Sequence, residues 1–299
     1  MSVLYVVATP IGNLQDLSPR ISETLKKVSL IAAEDTRVTS KLLSVLEIRV
    51  PMVSYRRENE EAIGDQIVSR MLAEDIEVAV VSDAGTPCIS DPGAVLVRKA
   101  IAVGIRVVPV SGPSAVVTAL SACGWELKSF SFHGFLPRKA KDQKAILEKI
   151  RLADNTAAVF YESPHRIKDL IKNLACVDPD CEIALFSDLT KYYERAYRGT
   201  CAQVLGELDA NPKSEKGEYC LCVKFSPLPE ETGDPDALSL DEQILISLFR
   251  GEEDDSVMRA LREKGYKRGD IYNAFAGVTE FLRDMIDVIY PEQDEDTEE

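Results

Sequence analysis

Short apolar runs alternate with longer stretches of helical periodicity from residue 4 to residue 122 of this 299-residue chain. The runs are rich in β-branched residues and are bounded by glycine or proline, which predicts strands, and the stretches between them predict helices. This order is typical of a parallel sheet with helices on its faces. The predicted strands span residues 4–8, 30–33, 52–54, 78–82 and 106–110, and the predicted helices span 18–27, 36–46, 62–73, 93–103 and 114–122.

A second alternating unit follows a break in this pattern at residues 123–126, where the sequence is Cys-Gly-Trp-Glu. We therefore predict an α/β fold with two domains, at residues 1–122 and 126–226, followed by a linker rich in proline, glycine and acidic residues. A small C-terminal helical segment is predicted at residues 238–290, and the acidic residues 291–299 are predicted to be disordered. The second unit has predicted strands at 129–133, 157–161, 182–186 and 218–225 and predicted helices at 144–151, 165–174 and 201–208, and the C-terminal helices are predicted at 241–250, 255–264 and 270–288.

Three loops rich in glycine and proline follow predicted strands of the first domain, at residues 9–14, 82–87 and 111–115. Ligands of parallel α/β sheets bind at the carboxyl ends of the strands, where such loops lead into helices. Glycine lets the backbone approach a ligand closely, and proline stiffens that approach. The loops therefore predict one binding crevice, with the candidate residues Pro10, Ser82, Asp83, Ala84, Gly85, Ser114 and Ala115.

The net charge of −15 is concentrated at the C-terminal end, because residues 229–299 hold 21 acidic and 7 basic side chains. Residues 1–228 therefore have a net charge of only −1, and any contact with RNA must come from local basic patches. Two such patches are Arg56 with Arg57 and Arg138 with Lys139, and the second follows the aromatic Phe135. Basic groups beside aromatics suit single-stranded RNA, although each patch taken singly also fits an ordinary solvated surface.

The sequence predicts no metal site, no membrane span and an intracellular location. The two histidines are far apart and the seven cysteines lack the spacing of metal ligands, which predicts reduced thiols and no structural metal. No apolar run approaches the roughly 20 residues that span a bilayer, and the first residues do not read as a signal peptide. We therefore expect a cytoplasmic protein.

Eight short motifs stand in order between residues 9 and 218. They are Thr9-Pro10-Ile11-Gly12-Asn13-Leu14, Glu34-Asp35-Thr36-Arg37, Ser82-Asp83-Ala84-Gly85-Thr86-Pro87 continued by Ile89-Ser90-Asp91-Pro92-Gly93, Gly112-Pro113-Ser114-Ala115, Gly134-Phe135-Leu136-Pro137-Arg138-Lys139, Tyr161-Glu162-Ser163-Pro164-His165-Arg166, Leu189-Thr190-Lys191 and Lys216-Gly217-Glu218. Together they resemble the methyltransferase I family of small-subunit ribosomal RNA, a branch of the tetrapyrrole methylase superfamily. The resemblance covers about residues 3–225.

This resemblance implies a tetrapyrrole-methylase-like fold, with two α/β domains and a cleft between them for the cofactor S-adenosyl-L-methionine. The implied reaction moves a methyl group from that cofactor to a cytidine 2′-hydroxyl of 16S ribosomal RNA in the small subunit, and the implied assembly is a homodimer. Arg166 is expected to contact the substrate, as are the two basic patches. In the second domain, the residues expected to contact the cofactor are Tyr161, Tyr219, Cys220 and Leu221.

Three side chains are candidates for the general base that removes the hydroxyl proton, namely Asp35, Glu162 and Lys191. Glu162 is also expected to contact the cofactor. Asp35 equally fits the N-cap of the helix that follows it, and Arg37 beside it could hold a phosphate. Lys191 would act as a base only if burial lowered its pKa, and it otherwise suits contact with a phosphate.

Among the departures from the family pattern, two segments leave other functions open. Arg56 and Arg57 stand where the family usually has a histidine-rich segment, and Ser187-Asp188 stands where it usually has Arg-Glu. One alternative function is a methylase of the same fold that acts on a small molecule such as a tetrapyrrole. Another is a non-catalytic protein that binds S-adenosylmethionine or RNA.

Overall fold

The structure, a computed structural model, describes residues 2–153, 157–228 and 238–289. These fall into two compact units, one within residues 1–228 and one within residues 229–299. The first unit holds two five-stranded sheets with their helices, which makes it an α/β structure. Both predicted α/β domains lie inside this first unit, and the limits given for them stay a prediction.

The first sheet consists of five parallel strands whose carboxyl ends share one edge. Its elements are β1 (Val3–Val7), α1 (Pro19–Lys27), β2 (Leu30–Ala33), α2 (Thr36–Val45), β3 (Met52–Ser54), α3 (Glu60–Glu74), β4 (Glu77–Val81), α4 (Ala94–Ala102), β5 (Arg106–Val110) and α5 (Ala115–Ser121). The strand order β3-β2-β4-β1-β5 places β1 between β4 and β5, so the three glycine-rich loops leave adjacent strands. The predicted elements of this half are confirmed, with ends displaced by no more than 2 residues.

The second sheet is mixed, and one of its strands was not predicted. Its elements are β6 (Phe130–Phe135), α6 (Ala140–Leu152), β7 (Ala157–Glu162), α7 (Ile167–Val177), β8 (Glu182–Ser187), β9 (Arg195–Thr200), α8 (Cys201–Ala210) and β10 (Tyr219–Lys224), with the strand order β6-β7-β10-β8-β9. Strand β6 is parallel to β7, and β10 runs antiparallel to both β7 and β8. The missed strand β9 pairs with β8 at the edge of the sheet, and Tyr197 is its one buried residue. A strand with so little buried apolar surface lacks the pattern by which strands are recognised.

Helix α5 joins the two sheets of the first unit. Its apolar side chains Val116 and Leu120 pack in one buried cluster with Val159 of β7, Phe186 of β8 and Cys222 of β10. A close-packed core of this kind resists relative movement of the elements that share it. The loops at the carboxyl edge of the first sheet are therefore held against the second sheet.

The second compact unit consists, over residues 238–289, of the helices α9 (Leu240–Phe249), α10 (Asp254–Glu263) and α11 (Arg268–Ile289). Helix α9 begins with a capping box in which Ser239 and Glu242 satisfy each other's backbone N–H groups. The helical spacing of apolar residues in this segment predicts a packing surface, and the core that forms is Ile244, Val257, Leu261, Ile271 and Val278. The acidic residues 291–299, predicted to be disordered, lie outside the described residues.

Two further features of the described residues concern membranes and metals. No helix within the described ranges is both long enough and apolar enough to cross a bilayer. The same residues bring together no group of three side chains able to ligate a metal ion, and all seven cysteines are free thiols.

Candidate functional site

The three glycine-rich loops are joined by hydrogen bonds at the carboxyl ends of β1, β4 and β5. The N–H of Thr9 donates to the carbonyl of Gly85 (2.8 Å), and the N–H of Gly85 donates back to the carbonyl of Thr9 (3.0 Å). The hydroxyl of Thr86 donates to the carbonyl of Pro113 (3.4 Å). Gly85 has a φ of +86°, a conformation that favours glycine because it has no Cβ. The three loops therefore form one continuous surface, called the loop surface below.

A cavity of about 390 Å³, called the main cavity below, lies between the loop surface and the second sheet. Apolar walls come from Ile11 and Ile89 on one side and from Phe186 and Leu189 on the other. Its size and its mainly apolar lining with a few polar groups are those of a site for a small organic molecule. Its charged lining residues are the carboxylates Asp91, Glu162 and Glu218.

Most of the residues predicted to bind a cofactor line the main cavity. From the first sheet these are Ala84, Gly85, Ser114 and Ala115, and from the second sheet Tyr161, Tyr219 and Cys220. The structure thus brings together residues that are up to 136 positions apart in the sequence, from Ala84 to Cys220. Leu221, by contrast, is fully buried in the core of the second sheet, because adjacent residues of a strand point to opposite faces.

The other three predicted cofactor residues lie elsewhere. Pro10, Ser82 and Asp83 line a separate cavity of about 250 Å³, which also includes Val38 and Val45 of helix α2. Ser82 is buried, and its hydroxyl donates to the carbonyl of Gly85 (3.3 Å), so it shapes the loop surface rather than the wall of the main cavity.

Glu162 is buried at the end of β7 and is fully partnered. Its carboxylate accepts the N–H of Ser163 (2.7 Å) and forms an ion pair with Arg166 (2.7 Å). The same guanidinium nitrogen donates to the carbonyl of Leu136 (2.7 Å), in the loop that follows β6. Arg166, expected to contact the substrate, thus ties that loop to Glu162 and positions the cavity wall.

Asp35 begins helix α2 as its N-cap, which confirms the structural interpretation of this residue. Its carboxylate accepts the N–H of Arg37 (2.8 Å) and forms an ion pair with the Arg37 guanidinium. These hydrogen bonds hold the pKa of Asp35 well below its usual range. Asp35 also does not line the main cavity. A carboxylate this acidic is a poor proton acceptor, which argues against Asp35 as the general base and favours its role as the N-cap.

Lys191 forms ion pairs with Asp188 (3.1 Å) and Glu218 (2.8 Å), the second of which lines the main cavity. Burial lowers the pKa of Lys191, but its hydrogen bonds to Glu218 and Asp188 outweigh burial and leave the pKa raised. Lys191 could act as a general base only with a lowered pKa, and its pKa is raised instead, so the ammonium group stays charged at neutral pH. Gly12 lies against this lysine, since a Cβ at Gly12 would come within 2.5 Å of the Lys191 Cγ.

The predicted RNA-binding arginines and lysine differ in what they contact. Arg56 donates to the carbonyl of Glu34 (3.2 Å), and Arg57 donates to the carbonyl of Ser90, a residue of the main cavity wall. Arg138 and Lys139 are exposed in the loop between β6 and α6. Arg56 and Arg57, which stand where the family has a histidine-rich segment, thus hold the backbone of two loops at the carboxyl edge of the first sheet.

Sequence reasoning assigned no role to Asp91, although it stands in the third motif. The structure places its carboxylate, half-buried, at the wall of the main cavity. Burial and the nearby negative charge of Glu34 raise the pKa of Asp91 to about 6. The sequence signal was the Asp-Pro-Gly turn at residues 91–93. The like charge of Glu34 comes from a different part of the chain, the loop after β2.

The comparison with known folds defines the class of protein. Residues 3–205 match the family model of the tetrapyrrole (corrin/porphyrin) methylases. A solved structure of uroporphyrin-III-C-methyltransferase from Thermus thermophilus matches with a TM-score of 0.53 and 19% identity, over 74% of this chain and 94% of that one. Diphthine synthase matches with a TM-score of 0.57 and 14% identity, over 76% and 91%. The α/β fold is therefore that of the tetrapyrrole methylases.

Curated relatives narrow the class further. The chain is 40% identical to ribosomal RNA small subunit methyltransferase I of Bacillus subtilis (strain 168) over 279 residues, 92% of this chain and 94% of that protein. It is 43% identical to the protein of the same name from Haemophilus influenzae, over 75% of this chain and 79% of that one. The chain belongs to this family, the ribosomal RNA small subunit methyltransferase I branch of the tetrapyrrole methylases. Since one alignment covers 92% of the chain, the similarity continues past residue 225 into the helical unit.

Proposed function

We propose that this chain transfers the methyl group of S-adenosyl-L-methionine to the 2′-hydroxyl of a cytidine in small-subunit ribosomal RNA. The observation that carries the proposal is the main cavity, enclosed by motif residues of both sheets in a member of this family. The relatives' names give the enzyme class and the class of RNA. The choice of a cytidine, and of its 2′-hydroxyl as the methylated atom, is more specific than those names and is our proposal.

The main cavity suits S-adenosylmethionine in size and in chemistry. Its volume of about 390 Å³ falls in the range of sites that enclose molecules of this size. Ile11 and Leu189 offer apolar surface to the adenine, and Gly85 leaves its backbone accessible. The hydroxyl of Ser114 makes no capping bond to helix α5 and is available to a polar group. A solved uroporphyrin-III C-methyltransferase of Thermus thermophilus, with a TM-score of 0.50 and 15% identity, holds S-adenosyl homocysteine.

When bound, S-adenosylmethionine supplies a methyl carbon attached to a positively charged sulfur. The residues of the chain must hold the ribose hydroxyl in line with that bond and exclude water, and alignment alone supplies a large part of the rate. The ion pair of Arg166 with Glu162 fixes one wall for this purpose. The charged Lys191 suits a phosphate of the bound strand.

The rim of the main cavity has the residues that single-stranded RNA requires. Phe135 lines the cavity, and the exposed Arg138 and Lys139 follow it in the same loop. On the other side, Tyr192 is 92% exposed three residues after the cavity residue Leu189. Exposed aromatics stack on unpaired bases, and basic groups neutralise phosphates.

A homodimer in the cytoplasm is part of the proposal. The separate cavity beside α2 is bordered by exposed apolar side chains, among them Val45 at 60% exposure, and a second copy of the chain would cover them. The cytoplasm follows from the proposed ribosomal substrate. Light scattering on the purified chain should give twice the monomer mass of 33.0 kDa, and a monomer would contradict the dimer.

The proposed reaction is tested with S-adenosylmethionine that carries a labelled methyl group and small ribosomal subunits from a strain lacking this gene. After incubation with the purified chain, the ribosomal RNA is digested and the label is mapped by mass spectrometry. We expect the label on a cytidine ribose. Label on a base or on another nucleotide would overturn the choice of a cytidine 2′-hydroxyl, and no label on the RNA would contradict the proposed reaction.

A further inference from the structure

Two neighbouring tyrosines in the loop that joins β8 to β9 are exposed to solvent. The side chains of Tyr192 and Tyr193 are 92% and 65% exposed, and their rings meet edge to face with centroids 4.9 Å apart. Tyrosine is enriched at binding interfaces, because its ring is apolar and its hydroxyl tolerates water. These two rings, called the tyrosine pair below, therefore mark a candidate binding surface.

Three cations lie near the tyrosine pair. The ammonium of Lys213 lies over the Tyr193 ring, 4.9 Å from its centroid. Lys216 belongs to the same turn, since its N–H donates to the carbonyl of Lys213 (3.1 Å), and Arg195 is the first residue of β9. All three are exposed, and none forms an ion pair with a residue in the described ranges.

Most of the carboxylates close to these cations along the chain are held by other protein groups. Glu194 accepts the N–H of Thr190 (2.5 Å), and Glu218 forms an ion pair with Lys191 (2.8 Å). Glu215, between the two lysines, is exposed. The cations beside the tyrosine pair are thus available to an anion such as a phosphate.

The tyrosine pair lies at the edge of the second sheet that faces the main cavity. Strands β6, β7 and β8 run in one direction, because β6 is parallel to β7 and β10 is antiparallel to both β7 and β8. Phe135 ends β6 and the tyrosine pair follows β8, and both loops contribute cavity residues, Phe135 and Leu189. The order β6-β7-β10-β8 puts β6 and β8 about 14 Å apart. The main cavity therefore has an aromatic and basic site on each side.

The backbone around the tyrosine pair is held in place before any ligand binds. The N–H of Asp188 donates to the carbonyl of Glu218 (2.9 Å), and the N–H of Lys191 donates to the carbonyl of Asp188 (2.9 Å). Asp188 and Thr190 have φ values of 52° and 66°, and Gly217 is required because a Cβ there would collide with the Asp188 carboxylate. Strained backbone of this kind persists only where its surroundings fix it. A fixed surface loses little conformational entropy when it binds a ligand.

We propose that the tyrosine pair, with Lys213, Lys216 and Arg195, is a docking site for an unpaired nucleotide of the RNA next to the methylated one, an inference that rests on the proposed function. The base of that nucleotide stacks on Tyr192, the more exposed ring, and its phosphates lie against the three cations. Every base has a π-face, so this site holds the strand without selecting its sequence. Lysine is depleted in interfaces between proteins, which favours RNA over a second copy of the chain as the occupant.

The test measures how tightly the full chain binds a single-stranded oligocytidine of about 12 nucleotides, by fluorescence anisotropy in the presence of S-adenosylhomocysteine. Tyr192→Ala should weaken this affinity by about 5- to 100-fold, which corresponds to the loss of one stacked base. Tyr192→Phe, which keeps the ring, should recover most of the lost affinity. Lys213→Gln should reduce the slope of log affinity against log salt by about 0.7, the contribution of one phosphate contact on a single strand.

Two controls separate this site from the rest of the molecule. Lys26→Gln, at an exposed lysine in the last turn of α1 and so at the opposite edge of the first sheet, should keep the wild-type affinity and salt slope. The affinity of Tyr192→Ala for S-adenosylhomocysteine, by calorimetry, should stay within about threefold of wild type, because Tyr192 does not line the main cavity.

Four outcomes decide between the possibilities. A wild-type chain that does not bind the oligocytidine would overturn the inference, as would wild-type affinity in Tyr192→Ala. If light scattering showed a dimeric wild type and a monomeric Tyr192→Ala, the tyrosine pair would belong to a subunit interface, and the inference would also fall. Binding of the oligocytidine that depends on Tyr192, without methyl transfer to small ribosomal subunits, would contradict the proposed reaction but not the docking site.

Discussion

Replacing Asp91 by asparagine should stabilise the first compact unit at neutral pH. The folded protein raises the pKa of this carboxyl from 3.8 to about 6, so the folded state disfavours its ionised form. Below the unfolded pKa, both states are protonated and the charge has no effect on stability. As the pH rises from 3.8 to about 6, the wild-type chain loses stability that an uncharged asparagine of the same shape retains.

The size of this effect follows from the two pKa values. Their difference of about 2 corresponds to at most about 3 kcal/mol of unfolding free energy. Solvent screens a half-buried group in part, so we expect Asp91→Asn to be more stable than wild type by about 1–3 kcal/mol above about pH 7. The difference should shrink steadily toward about pH 4.

Urea unfolding measures this difference directly. The chain has a single tryptophan, Trp125, which packs against the buried cluster shared by the two sheets, so its fluorescence reports on the first unit. Wild type, Asp91→Asn and the control Asp169→Asn, at a carboxylate 75% exposed on helix α7, are compared between about pH 4 and about pH 8. An Asp91→Asn variant that is less stable than wild type at neutral pH, or a difference that does not depend on pH, would refute the reasoning. The control should differ from wild type by less than about 0.5 kcal/mol.

Three other substitutions test separate parts of the site. Gly85→Val should weaken the affinity for S-adenosylhomocysteine, measured by calorimetry, by about 100-fold or more, because Gly85 has a φ of +86° and lines the main cavity. The control Gly206→Ala, at a glycine with open space around it, should leave that affinity unchanged. Equal affinities of the two variants would place the cofactor elsewhere. Arg138→Glu combined with Lys139→Glu should lower the affinity for RNA and reduce its salt dependence, and should leave the affinity for the cofactor unchanged. An unchanged RNA affinity in a filter-binding assay would exclude this loop as the RNA-binding surface. Glu162→Gln should lower the unfolding free energy by about 1–3 kcal/mol in urea, since it leaves a half-buried guanidinium without its counter-ion, and an unchanged midpoint would contradict that contact.

The central strands of the first sheet, β1, β2 and β4, were predictable because they are buried on both faces. β2 and most of β4 are fully apolar, and each strand is bounded by turn residues. Strand β9 could not be predicted because it lies at an edge and exposes nearly every side chain. Its pairing with β8 depends on tertiary contact, which a pattern along one segment does not record.

The candidate site was predictable where a residue's role follows from its own segment. The loop residues Gly85 and Ser114 were found because glycine and proline mark such loops after strands. The chemistry of Lys191 was left open because its partner Glu218 lies 27 residues away, and only the fold shows that the pair raises its pKa. Asp91 was missed for the same reason, since Glu34 and burial give it its character.

A crystal structure of the chain with S-adenosylhomocysteine tests the central claim most directly. We expect the ligand in the main cavity, in contact with Gly85 and Ser114 from the first sheet and with Tyr161 from the second. A ligand in the separate cavity beside Pro10 and Val38 would contradict the proposed site, as would a ligand that contacts one sheet alone.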